Sequence, residues 1–297
     1  MKFRVFLIVL LHTFLLTAQT TELPIKSATV LPLEVLEDES LEKTLIDEVN
    51  KNALWKKLIS SNLLSIGLVD MSNSDDIKYA GINDDTMMYA ASLPKIAVLL
   101  AAMDAIEKGE LAYTDEIKKD LRLMISKSNN QASTRMIDRL GYEKIEEVLR
   151  APKHKLYDEK AGGGLWVGKR YAAGGKRYPE PLKGLSHAAT TLKVSSFYYQ
   201  LAMGNLLSDE SCREMLDIMK DPALHHKFVN TLDRIAPNAT LYRKSGSWKN
   251  FHSDSILVWG PNRKYILVAL VDNNLGEKII RNLVEPIENV LKKSRSL

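Results

Sequence analysis

The sequence predicts a layered α+β fold: one antiparallel sheet flanked by terminal helices, with an all-helical lobe inserted between its strands. Three observations predict it. Strand-like apolar runs gather near both ends of the chain, at 63–69 and again at 240–248, 255–259 and 265–272. Between them, residues 92–225 carry one helical pattern after another. Further helical patterns precede the first strand and follow the last, where they can cover a sheet assembled from the two ends. A chain of 297 residues with 45% apolar content can bury a large core, and 26% charged residues is ordinary for a globular protein. The net charge of +4 is too mild and too dispersed to point to nucleic acid.

The N-terminus reads as an export signal. Lys2 and Arg4 precede an apolar run over 5–16, and Leu16-Thr17-Ala18 offers small residues before a cut ahead of Gln19. Residues 1–18 are therefore expected to be removed, leaving a secreted or periplasmic protein with no stable membrane span. Residues 19–40 lack periodicity and read as a leader. Apolar residues at helical spacing predict a helix over 41–59, and polar residues 72–76 can turn the 63–69 strand into a hairpin with 77–82. Helices are predicted over 93–108, 115–126, 131–140, 142–149, 191–203 and 209–219, and a last amphipathic one over 276–293. Between the fourth and fifth, residues 155–187 form a long irregular stretch rich in Gly, Lys and Tyr. A single domain over 41–295 follows, with 41–90 and 240–295 as an α/β lobe and 91–239 as a helical lobe. Cys212 is the only cysteine, so no internal disulfide can form, and it reads as a small buried hydrophobe.

Three short segments carry the chemistry. Ser92 and Lys95 stand three apart at the start of an apolar helix, so their side chains share a face. Pro94 suits a first helical turn, and the residues after Lys95 are apolar all round, which marks a buried helix. A lysine at that margin loses hydration, its pKa falls, and in neutral form it can take the proton of a neighbouring serine. Ser128 and Asn130 precede the next helix, where a hydroxyl and an amide can line a cleft. Lys244-Ser245-Gly246-Ser247 lies in a late strand whose central glycine implies close approach of a backbone or ligand. Each segment alone also fits a plain role: helix caps for the first two, a charged edge strand for the third.

Their order is the stronger signal. Ser-x-x-Lys, Ser-x-Asn and Lys-Ser-Gly in this sequence resemble, over roughly residues 41–295, the class A β-lactamases and penicillin-binding proteins. The resemblance implies that Ser92 is the nucleophile and Lys95 helps to activate it. It implies that Ser128 relays a proton to the leaving nitrogen under the influence of Lys244. Asn130 would hold the substrate's amide side chain, Ser245 and Lys244 its carboxylate, and the N–H groups of Ser92 and Ser247 the oxyanion. The expected substrate is a small-molecule β-lactam or a peptidoglycan-derived peptide, handled by a monomer without cofactor or metal.

Two departures from the family pattern bear on turnover. No Glu-x-x-Leu-Asn motif follows the second segment, so the group that activates water for deacylation is open among Glu159, Glu180, His187 and Lys95. Both glutamates otherwise read as exposed charges. Ser92 and Ser128 lie only 36 residues apart, which implies a shorter wall beside the cleft. Hydrolysis of a β-lactam or related amide is the expectation. A D,D-peptidase or esterase, or a binder that acylates without turnover, are the alternatives.

Overall fold

In the computed structural model, which describes residues 22–25 and 30–295, ten strands form in chain order. They are β1 (Leu64–Asp70), β2 (Lys78–Ile82), β3 (Met88–Tyr89), β4 (Tyr157–Asp158), β5 (Gly163–Gly164), β6 (Trp166–Val167), β7 (His187–Ala189), β8 (Thr240–Trp248), β9 (Phe251–Gly260) and β10 (Arg263–Asp272). Five of them pair antiparallel into one sheet in the order β2-β1-β10-β9-β8, so the two ends of the chain meet where β1 pairs β10. The export segment at 1–18 lies outside the described residues.

Strict alternation along the central strands explains why the sheet has two covered faces. In β10, Ile266, Val268 and Leu270 join one core while Tyr265, Leu267, Ala269 and Val271 join the other. Helices α1 (Glu39–Val49) and α2 (Ala53–Ser60) bury Leu41, Leu45, Trp55 and Leu58 in the second core. The first core belongs to α3 (Lys95–Glu107), α4 (Asp115–Ser126), α5 (Asn130–Leu140), α6 (Tyr142–Arg150), α7 (Thr191–Ala202) and α8 (Asp209–Met219). Helices α9 (Phe228–Ile235) and α10 (Gly276–Ser294) complete the second. This is the expected α+β fold.

Several local expectations change. The helix read over 41–59 is two, because Asn52 breaks the run and its side chain caps α2 by accepting from the N–H groups of Leu54 and Trp55. Helix α9 was not anticipated. Part of the stretch read as leader is held: Tyr79 N–H donates to Leu36 O at 2.7 Å, and Lys193 pairs with Glu34 at 2.7 Å. The irregular stretch at 155–187 contains three two-residue strands and runs into a fourth of three residues, all too short to leave a periodicity in the sequence.

Candidate active site

Ser92 sits in the tight turn that leads from β3 into α3, just ahead of the helix rather than inside it. Lys95 N–H reaches back to Ser92 O at 3.3 Å and Leu93 N–H to Ala90 O at 3.1 Å, so the turn closes by short-range bonds. Ala91 is held at φ 51° and Ser128 at φ 54°, a left-handed backbone that residues with a side chain seldom adopt. Strain of this kind persists only where the surroundings impose it, and it concentrates at functional sites.

The three segments converge on one hydroxyl. Lys95 is completely buried at the head of α3, and its Nζ donates to Ser128 O at 2.7 Å and to Asn130 Oδ1 at 2.8 Å. It also lies 3.4 Å from Ser128 Oγ. Lys244 Nζ approaches the same Ser128 Oγ from β8, at 2.9 Å, and donates to Ser245 O at 2.6 Å. Asn129, between the two residues of the second segment, caps α5 by accepting from Ala132 N–H at 2.8 Å. The capping role therefore falls to Asn129, which leaves Ser128 and Asn130 free to face the lysines.

Burial decides the charge of those lysines. Loss of hydration lowers the Lys95 pKa to about 7. Lys244 falls well below its usual range, first by burial and then by the charge of Lys95. The ring of Tyr171, delivered by the irregular loop, lies 4.3 Å from Lys95 Nζ, and its hydroxyl donates to Ala91 O at 3.3 Å. The loop residue thus roofs the lysine and ties itself to the strained residue before Ser92. No feature of the sequence around Tyr171 singled it out from the other tyrosines of that loop.

Gly246 explains how β8 reaches the serine. A Cβ at this position would stand 2.4 Å from Ala90 O and 2.6 Å from Ser92 N, so only a glycine lets the strand lie against the turn. β8 is an edge of the sheet, with Ser245 buried and Ser247 exposed at its open end. Beneath it lies a residue the sequence did not announce. Lys227, fully buried just before α9, donates to Gly246 O at 2.5 Å, Ser247 Oγ at 2.9 Å and Ser253 O at 2.9 Å.

Of the four residues weighed as water activators, all but Lys95 are engaged elsewhere. Glu180, read as exposed, is buried. Its carboxylate accepts from Tyr157 Oη at 2.9 Å and from the N–H groups of Leu182, Lys183 and Leu185, so it pins the loop. Glu159 is exposed and pairs with Arg150 at 2.6 Å. His187 is buried between the rings of Tyr171 and Tyr89. Its ring nitrogens are 3.1 Å from Ser186 Oγ and 3.0 Å from Lys169 O, and burial lowers its pKa to about 4, so it is neutral.

Comparison with known proteins agrees with the fold. Among solved structures, a β-lactamase from Sphaerobacter thermophilus DSM 20745 superposes with a TM-score of 0.66 at 18% identity, over 84% of this chain and 97% of that one. PBP-A superposes with a TM-score of 0.63 at 19% identity, over 92% and 100%. A β-lactamase from Chitinophaga pinensis DSM 2588 gives 0.60 at 14%, over 80% and 99%. At these identities the likeness is one of fold. No curated protein sequence matches. The sequence pattern of the β-lactamase enzyme family does match, over residues 53–120 and 117–291, which is most of the described structure, and the chain belongs to that family.

Proposed function

We propose that the protein is an exported serine hydrolase that opens β-lactam or related amide bonds through an acyl-enzyme on Ser92. The observation that supports this most directly is the meeting of Lys95 and Lys244 at Ser128 Oγ, which links all three sequence segments. A neutral Lys95 has two N–H groups, matching its two short bonds to Ser128 O and Asn130 Oδ1. Its lone pair is then left for the proton of Ser92. As Ser92 Oγ bonds to the substrate carbonyl carbon, that proton passes to Lys95. When the C–N bond breaks, Ser128 gives its proton to the leaving nitrogen and is reprotonated from the lysines beside it. The N–H groups of Ser92 and Ser247 would hold the developing oxyanion, a reading supported by the close approach of Gly246 to the Ser92 turn. Lys244 and Ser245 suit a substrate carboxylate, and Asn130 an amide. Export rests on Lys2, Arg4 and the apolar run that follows.

Deacylation falls to Lys95 as well, since the two glutamates and His187 are committed elsewhere. A second reading, a penicillin-binding protein that acylates and releases slowly, is favoured by one observation: Tyr171 covers Lys95 from the side of the loop. Mature protein incubated with a chromogenic cephalosporin and a fluorescent penicillin, with Ser92→Ala alongside, separates them. Turnover that disappears in Ser92→Ala supports the hydrolase. Stable labelling without turnover supports the second reading, and labelling that survives Ser92→Ala overturns both. A mutant of PBP-A has been seen as an acyl-enzyme complex with penicillin G, which makes penicillins a sensible first probe.

A further inference from the structure

Lys227 is a costly residue that the mechanism above does not use. It is fully buried, sits at φ 56°, and its three hydrogen-bond partners are all oxygens of β8 and β9. The buried carboxylate nearby, Asp254, is taken by Arg243, whose Nε and Nη2 donate to it at 2.7 and 2.9 Å. Asp254 also accepts from Phe228 N–H at 3.1 Å, which fixes the first turn of α9 beside Lys227. The ammonium is thus aimed at two peptide carbonyls and the Ser247 hydroxyl rather than at a counter-ion.

One of those carbonyls belongs to a particular peptide. Gly246 O and the N–H of Ser247 are the two ends of the same planar trans unit and point in opposite directions. A cation bonded to the oxygen draws electron density along the amide and makes the N–H at the other end a stronger donor, as in a chain of hydrogen bonds that polarise one another. The effect is largest where water is excluded, and Gly246 and Ser253 are both buried.

We propose that Lys227 is a positioning residue for the oxyanion hole: its ammonium polarises the Gly246–Ser247 peptide and fixes β8 against the Ser92 turn. This rests on the reading of Ser92 as nucleophile and Ser247 N–H as oxyanion donor. It acts on the transition state and on the acyl-enzyme carbonyl, and leaves substrate affinity to Lys244, Ser245 and Asn130.

The test compares wild type, Lys227→Met and Ser92→Ala with a penicillin under single-turnover conditions. It also records the infrared carbonyl stretch of the acyl-enzyme. Lys227→Met is expected to acylate roughly 10 to 100 times more slowly, a fraction of the loss that follows removal of a whole oxyanion donor. The concentration for half-saturation is expected to stay put and the carbonyl band to move to higher wavenumber. A packing defect that leaves β8 in place would not move that band. A folded Lys227→Met with wild-type rate and band position overturns the proposal while leaving Ser92 intact. Labelling that survives in Ser92→Ala overturns the site reading and the proposal together. Should Lys227→Met not fold, Lys227→Gln, which keeps a neutral donor, decides by the same two readouts: a slower rate with a shifted band supports the proposal, and wild-type values overturn it.

Discussion

Gly246→Ala is the smallest change that ought to disable the site. The added methyl would meet Ala90 O at 2.4 Å, Ser92 N at 2.6 Å and Ser253 Oγ at 2.7 Å. The serine hydroxyl can rotate away, but the other two are backbone atoms of the strained turn. To restore ordinary contact, β8 must retreat by roughly 1 Å, and as an edge strand it has room to do so only outward. That carries Ser247 N–H away from Ser92. A misplacement of about 1 Å at a reacting centre costs on the order of 100-fold, and full loss of an oxyanion donor costs about 100- to 1000-fold. Overpacking adds about 1–3 kcal/mol of destabilisation. The assay is the single-turnover rate of labelling by a fluorescent penicillin, read beside a thermal unfolding curve. A variant that folds and labels at close to the wild-type rate would refute the argument that this glycine seats the oxyanion strand.

Other outcomes follow from the same geometry. With Lys95 near pKa 7 and active as the free amine, the acylation rate is expected to rise about tenfold per pH unit below 7 and to level off above it, which a pH–rate profile checks. Tyr171→Ala lets water reach Lys95, so its pKa rises and the midpoint of that profile is expected to move to higher pH. The same variant should shorten the acyl-enzyme lifetime. Glu180→Ala strands the hydroxyl of Tyr157 and the loop N–H donors, and is expected to cost about 2–4 kcal/mol in denaturant unfolding. By contrast, Glu180→Gln should leave the deacylation rate near wild type, and a collapse of deacylation would restore Glu180 as a base.

What the sequence disclosed depended on whether a residue acts through its neighbours in the chain. The central strands were legible because each is a short apolar run in the chain, and the structure shows why: Tyr265 to Val271 send alternate residues into two cores, so both faces must be apolar. Gly246 was legible as a close approach because a mid-strand glycine is costly without a reason. Lys95 was legible because the apolar helix after it implied burial. Lys227 was not, since its partners lie in strands 19 to 26 residues away and only the fold brings them to it. Glu180 misled for the opposite reason. A glutamate is charged and therefore expected outside, and only the fold shows that four donors of one loop enclose it.

The division of labour between the two central lysines follows from where each meets water and substrate. Both reach Ser128 Oγ, and two ammonium groups at that separation, without a carboxylate between them, repel strongly in a poorly hydrated site. Burial relieves the repulsion by removing protons rather than by pairing charges, because Arg243 already occupies Asp254. Lys95 lies under Tyr171 with neutral oxygens and no carboxylate among its hydrogen-bond partners, so loss of hydration outweighs what its neighbours give its charge. Lys244 lies on the edge strand beside Ser245, the side from which a substrate carboxylate would enter. An incoming anion therefore favours the protonated form of Lys244, and the charge it restores there presses Lys95 further toward the neutral base. On this reading, binding an anionic substrate and arming the nucleophile are one electrostatic event, with Ser128 as the hydroxyl the two lysines share.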